Sequence, residues 1–149
     1  DMTKEVTVIA KSAVITGDLH TEGSLEIIGT IHGDIDCKGK LSVTGSVTGN
    51  CTASEVYVGT KQLEGSITSE GNVRVGIGAV IVGNIIGNAG FIEGAIKGDI
   101  DINGPIVIDS SAVIKGNIKA SSIQINKGAI IDGFCSLPYA EVNIDNLFK

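Results

Sequence analysis

The chain has 149 residues, of which 42% are hydrophobic and only 3% aromatic, with 21 glycines and a formal net charge of −6. This length suits one domain, and an acidic chain without a run of Lys or Arg is a poor candidate for nucleic-acid binding. No apolar run is long enough to span a membrane, and three cysteines without metal-ligand spacing fit a reducing cytosol better than a disulfide framework.

A polar tail, residues 1–5, precedes a repeat that starts at Val6 and continues to the C-terminus. The repeat contains the pattern aliphatic-x-Gly-x-aliphatic, first seen from Ile15 to Leu19 around Gly17. The pattern recurs at intervals of 15–18 residues around Gly33, Gly49, Gly65, Gly83, Gly98, Gly116 and Gly133. A fixed period of this kind indicates a solenoid.

A second pattern, apolar-x-apolar, follows each glycine by seven to nine residues. The pairs are Leu25/Ile27, Leu41/Val43, Val56/Val58, Val73/Val75, Ile106/Ile108, Ile123/Ile125 and Val142/Ile144, with Phe91-Ile92-Glu93 as a blurred copy. The longer repeats carry Ala, two aliphatics and Gly, as in AVITGDL and AVIKGNI, and we expect their extra residues to bulge at corners near 76–78 and 109–111.

Short strands in a repeat of 15–18 residues predict an all-β fold: a single-stranded parallel β-helix, or three-sided solenoid, of about eight coils over residues 6–149. Such a coil has a perimeter of roughly 50 Å. The shared register predicts that Ile35, Val47, Ile100 and Ile118 point inward. The repeated glycines serve either a corner with positive φ or a place without room for a side chain, and the sequence leaves both roles open.

The position after each glycine forms a column of mostly Asp, Asn and Ser. Its members are Asp18, Asp34, Asn50, Ser66, Asn84, Asp99, Asn117 and Phe134. We interpret the column as turn chemistry with stacked hydrogen bonds rather than as a calcium site, because the Gly-Gly-x-Gly-x-Asp repeats of calcium solenoids are absent.

Catalytic motifs are lacking. The segment VGIGAVIVGNI is similar to the hexapeptide repeat of acyltransferases, but three successive spacings of 16 break that period. His20 and Asp36 form a candidate surface pair without a nucleophile, His32 shares a column with threonines, and Cys51 and Cys135 occupy inward aliphatic positions. No GxxxxGK loop is present. We therefore predict no enzyme activity, cofactor, metal or nucleotide.

The open ends of an uncapped solenoid expose strand edges and an apolar layer, which favours addition of another chain. The candidate polymerisation residues are Val6, Val8, Val14, Ile15, Phe134, Tyr139, Val142, Ile144 and Phe148. The three aromatics among them either plug the last coil or make a tail-to-tail contact, and both readings stay open.

With coils such as TIHGDI, SVTGNC, AIKGDI and VIKGNI between Val6 and Ile144, the chain resembles the bactofilins, a family of bacterial cytoskeletal proteins. The resemblance implies a right-handed β-helix that assembles end to end without nucleotide, through an aromatic near the last coil, for which Phe134 and Phe148 are the candidates. It also implies a cytoplasmic scaffold at the inner face of the cytoplasmic membrane, whose partners are itself, that membrane and cell-wall-associated proteins. The polar residues 1–5 depart from the hydrophobic membrane-contacting start of many members, and eight coils slightly exceed the family's expected number.

Two alternatives to this function remain. One is a β-helical binding module that does not polymerise. The other is a relative of the hexapeptide acyltransferases.

Overall fold

The computed structural model describes residues 5–59 and 62–149. Within these ranges the chain winds through three parallel sheets of eight strands each, so that every turn of the chain adds one strand to each sheet. Sheet A consists of Val6–Ile9, Ser24–Ile27, Lys40–Val43, Glu55–Val58, Asn72–Val75, Ala89–Ile92, Pro105–Ile108 and Ser122–Ile125. Sheet B consists of Val14–Thr16, Thr30–His32, Ser46–Thr48, Gln62–Glu64, Val80–Val82, Ala95–Lys97, Val113–Lys115 and Ile130–Asp132. Sheet C consists of Leu19–Thr21, Ile35–Cys37, Cys51–Ala53, Ile67–Ser69, Ile85–Gly87, Ile100–Ile102, Ile118–Lys119 and Cys135–Ser136.

The predicted three-sided solenoid of about eight coils is confirmed. We number the coils from the first (6–21) to the last (122–137). Alternate residues of each strand point into the solenoid, and stacking places one aliphatic side chain above another in columns. Ile35, Val47, Ile100 and Ile118 are buried, as their register predicts.

Glycine forms a column at the corner between sheets B and C, which we call the B–C corner. Its backbone has positive φ in every coil, as at Gly33 (158°) and Gly49 (153°). A Cβ at Gly49 would also collide with the carbonyl group of Gly33 in the coil before it. This column therefore combines the two roles that the sequence left open. Gly45, at the A–B corner, has only the second role, because a Cβ there would collide with the carbonyl oxygens of Ile28 and Gly29.

The long coils turn between sheets A and B as expected. At residues 76–79 the N–H of Ala79 donates to the carbonyl of Gly76, and at 109–112 the N–H of Ala112 donates to that of Asp109. The blurred copy has Gly90 and Ile92 at the inward positions, in register with Val73 and Val75. A Cβ at Gly90 would lie 3.1 Å from the Ile106 side chain, so a larger residue there would require that side chain to shift.

The stack of strands ends at Ser136, and Val142/Ile144 do not form a further strand, contrary to the repeat pattern. The chain turns at 138–139 and finishes in a short 3₁₀ helix, Ile144–Phe148. Pro138 follows two residues after Ser136, and it cannot donate to a strand ladder. In the described part of the chain, no helix has the length and apolarity needed to cross a membrane.

Candidate assembly surfaces

The last coil exposes an apolar layer at the C-terminal end of the solenoid, which we call the C-terminal end face. It consists of the inward side chains of that coil, Ile123, Ile125, Ile131 and Cys135, together with the exposed Leu137 that follows the last strand. Ile123 and Ile131 are half-buried against the core, while Ile125 is 50% exposed and Cys135 is exposed. In inner coils the same columns are fully buried, for instance at Ile108 and Ile114. These side chains lack only a coil on top of them.

The N-terminal end face has a different character. The inward side chains of the first coil are Thr7, Ile9, Ile15, Leu19 and Thr21. Two of these five positions carry a hydroxyl group, although the side chains in register with them in the second coil are the buried Leu25 and Cys37. The N-terminal end face is therefore more polar than the C-terminal one.

Both end faces also carry open strand edges. The outermost described strands of each sheet, in the first and last coils, have a paired neighbour on one side only. Unpaired edges of parallel or antiparallel sheets are templates for further strand pairing.

The structure separates the four N-terminal candidates. Ile15 points inward and belongs to the end face. Val6, Val8 and Val14 are in register with the outward-facing Ser24, Glu26 and Thr30, so they lie on side walls of the first coil. Apolarity alone suggested them, but the register with the second coil shows which way they point.

The C-terminal candidates also occupy different places. Phe134 lies in the last coil at the B–C corner, on the rim of the end face. Tyr139 lies against sheet C, where its hydroxyl donates to the Asp101 carboxylate at 2.6 Å. Val142, Ile144 and Phe148 lie in the segment after the coils and are exposed. A plug would require buried rings, but Phe134 and Phe148 are 80% and 85% exposed, so they do not cover the last coil.

Sequence reasoning missed most of the end-face residues. Ile125, Ile131 and Leu137 at one end, and Ile9 and Leu19 at the other, were not among the candidate polymerisation residues. The signal that finds them is the inward column itself, followed to its last member.

The column of Asp and Asn at the B–C corner forms a ladder of hydrogen bonds. Each side-chain oxygen accepts the backbone N–H of the next coil, as from Asp34 to Asp18 and from Asn117 to Asp99, both at 2.9 Å. The last rung runs from the Phe134 N–H to Asn117 at 3.1 Å, and Phe134 has no oxygen to offer a further coil. These contacts support the structural interpretation of the column, and among the described residues no group of His, Cys, Asp and Glu could hold a metal ion.

His20 forms the predicted surface pair with Asp36. Its Nδ1 lies 3.1 Å from Asp36 Oδ2 and its Nε2 lies 2.6 Å from Glu22 Oε2. The hydrogen bonds to Glu22 and then Asp36 raise the pKa of His20 above 6.5. The cluster ties the first coil to the second and contains no nucleophile.

The family model described as "Bactofilin: Polymer-forming cytoskeletal" matches residues 7–61 and 59–136. No curated protein and no solved structure matches the chain.

Proposed function

Because this chain belongs to the bactofilin family of polymer-forming cytoskeletal proteins, we propose that it is a non-enzymatic scaffold whose copies join end to end into filaments without nucleotide. The supporting observation is the C-terminal end face, a complete layer of apolar side chains with open strand edges on a folded coil. Contact with a second end face would bury this layer and continue the ladders of all three sheets.

The character of the two ends favours joints between like ends. In a head-to-tail joint the column that ends at Ile123 would meet Thr7, which would bury a hydroxyl group against an apolar layer. The ladder of the B–C corner would also stop there, since the side chain of Phe134 has no acceptor for the Asp18 N–H. A tail-to-tail joint keeps apolar side chains against apolar side chains.

The walls of such a filament stay free for other partners. We propose that cell-envelope proteins are recruited along the walls at the inner face of the cytoplasmic membrane, as the family resemblance implies. Deletion of this gene, with fluorescence imaging of envelope proteins, would test that recruitment in cells.

The assembly itself is tested by two substitutions in one strand of the last coil. Ile125→Asp places a charge in the C-terminal end face, where the isolated chain leaves the side chain half exposed and tolerates it. Gln124→Asp places the same charge on the outer wall one residue earlier. Burying an unpaired charge in each joint should raise the critical concentration for assembly about hundredfold.

Electron microscopy and light scattering without nucleotide give the readout. We expect long filaments for the parent chain and for Gln124→Asp, and folded small species for Ile125→Asp. A parent chain that stays monomeric at every concentration would contradict the proposed assembly and favour a non-polymerising binding module. Long filaments of Ile125→Asp would show that the C-terminal end face is not the joint.

A further inference from the structure

The outer wall of sheet B changes from polar to apolar halfway along the solenoid. In coils two to four its first column carries Thr30, Ser46 and Gln62. In coils five to eight the same column carries Val80, Ala95, Val113 and Ile130, which are neighbours in register. With Val82 they form an apolar stripe, whose valines and isoleucine are 43–58% exposed. Contiguous exposed apolar surface on a wall indicates an interaction site.

Charged side chains border the stripe. Lys97 and Lys115 follow Val82 in the second outward column of sheet B, Asp132 follows them in the last coil, and all three are exposed. The chain as a whole has a net charge of −6, so this wall differs in sign from most of the surface. An apolar partner with acidic side chains would match it.

The segment after the coils has the matching composition. Residues 140–149, which we call the C-terminal segment, expose Val142, Ile144, Leu147 and Phe148. Glu141 and Asp145 stand among these apolar side chains and are exposed as well. The chain therefore carries both an acidic apolar segment and a basic apolar stripe, and neither is covered within one copy.

We propose that the C-terminal segment of one copy docks on the sheet B stripe of a second copy across a tail-to-tail joint. This inference rests on the proposed end-to-end assembly and adds a contact to it. Glu141 and Asp145 of the segment pair with Lys97 and Lys115 of the stripe, while the apolar side chains of both surfaces pack together.

The three-sided shape permits this arrangement. A twofold axis perpendicular to the solenoid maps one sheet onto itself and exchanges the other two. An axis through the B–C corner and the middle of sheet A brings the two exposed Phe134 rings together and places sheet C of one copy in line with sheet B of the other. The C-terminal segment leaves the coils beside sheet C, where the Tyr139 side chain reaches back to Asp101, two coils before the end. From this side of the solenoid the segment would cross the joint to reach the partner's sheet B.

Length and area agree with this docking. Five extended residues and the five of the 3₁₀ helix together reach about 26 Å, and the stripe spans three strand spacings, or about 14 Å. An end face with sides of roughly 17 Å buries far less than the about 800 Å² per partner of a standard interface. Two docked segments per joint supply additional buried surface.

Charge reversal tests the pairing in the full-length chain. Lys97→Glu with Lys115→Glu, or Glu141→Lys with Asp145→Lys, should each raise the critical concentration about fivefold. The chain with all four changes should return toward the parent value, because opposite charges face each other again. Control reversals are Lys40→Glu with Lys119→Glu, on sheets A and C, and we expect them to leave the critical concentration unchanged.

Cross-linking tests the contact directly. In a Cys135→Ala background, which keeps the end face apolar, one tagged chain carries Val113→Cys on the stripe and an untagged chain carries Leu147→Cys in the segment. Mild oxidation of mixed filaments should join tagged to untagged chains, whereas Ser42→Cys on sheet A should give no such product. Added Ile125→Asp should abolish the product together with the filaments.

The outcomes separate the two proposals. Filaments that form normally, without the mixed product and without any effect of charge reversal, would overturn the docking and leave the end-to-end assembly standing. A monomeric disulfide product in a chain that carries both Val113→Cys and Leu147→Cys would show the segment docked on its own copy and would overturn the docking as well. A chain that never assembles would overturn both proposals.

Discussion

At the scale of single residues, a glycine at the B–C corner of each coil controls how closely the coils approach. The carbonyl group of one glycine occupies the space that a Cβ on the glycine of the next coil would need. The Gly33 carbonyl blocks a Cβ at Gly49 in this way. The backbone there also has φ near 155°, as at Gly116, which side chains rarely adopt. Any larger residue in an inner coil must therefore separate two strands.

We predict that Gly49→Ala strongly destabilises the chain and that Gly17→Ala costs much less. Both have positive φ, and a Cβ at Gly17 in the first coil meets nothing within 4 Å, whereas one at Gly49 meets backbone. Backbone strain alone accounts for about 1–3 kcal/mol at Gly17, and the collision at Gly49 adds to this. Thermal and urea unfolding give the comparison, and equal losses at the two sites would show that stacking distance is not what the glycine controls.

The His20 cluster gives the first coil a dependence on pH. Bonds to Glu22 and Asp36 raise the pKa of His20, so the imidazolium is favoured in the folded state. Such a group contributes stability below its unfolded pKa of 6.5, and the contribution is lost as pH rises through the higher folded value. Lys38, which lies 3.5 Å from Asp36, is the nearby positive charge.

We predict that His20→Gln lowers the melting temperature at about pH 5.5 and has little effect at about pH 9. The physical reason is that the substitution removes only the charged contacts with the two carboxylates. His32→Gln, on sheet B, is the control. If His20→Gln lowered the melting temperature more at about pH 9 than at about pH 5.5, the assigned role of the cluster would be contradicted.

At the scale of elements, the ladder at the B–C corner has one missing rung. Side-chain oxygens of Asp or Asn accept from the next coil at Asp18, Asp34, Asn50, Asn84, Asp99 and Asn117. Ser66 is the exception: its hydroxyl donates to Asn50, and no bond joins it to the Asn84 N–H in the described residues. The serine side chain is shorter by one bond, which explains the gap.

We predict that Ser66→Asn stabilises the chain by about 0.5–1.5 kcal/mol, because it supplies the missing acceptor. Asp99→Ala should destabilise it by about 1–3 kcal/mol, because the Asn117 N–H loses its partner. Unfolding in urea measures both changes, with Thr52→Asn on the wall of sheet C as the control. No gain from Ser66→Asn would mean that the ladder follows the coil geometry without strengthening it.

At the scale of the whole molecule, the three cysteines differ in exposure according to the coil in which they lie. Cys37 and Cys51 are buried in inner coils, and burial raises the pKa of Cys51 to about 12. Cys135 occupies the same column as Cys51 but is exposed, because no coil follows it. The predicted inward position of Cys135 is confirmed by its register with Ile118, and its exposure follows from its place in the last coil.

We predict that a maleimide reacts with one thiol per folded monomer and that this thiol is Cys135. The adduct projects from the C-terminal end face, so labelled chains should not form filaments, while existing filaments should be protected. Cys135→Ala is the control: it keeps the end face apolar, so it should assemble and resist labelling. Rapid labelling of filaments at Cys135 would place the joint elsewhere.

The sequence by itself determined the coil. The glycine period and the alternation of apolar residues specify which residues stack, because each residue in an inner coil contacts the equivalent residues of the coils before and after it. Inward residues such as Ile35 and Ile100, the turns at 76–78 and 109–111, and the membership of the family were therefore predictable. The column of Asp and Asn was also read correctly as structural.

Only the tertiary structure decided what happens at the two ends. A terminal coil has a counterpart on one side only, so apolarity no longer shows which face a residue occupies. Val6 and Val8 look like core residues, yet pairing with Ser24 and Glu26 turns them outward and leaves Thr7 inward. Val142 and Ile144 copy the repeat in sequence, but the chain turns after Ser136 and leads into a 3₁₀ helix instead of another strand. The surfaces proposed for assembly lie where the repeat loses its neighbour, which is why a periodic pattern could predict the core and not the ends.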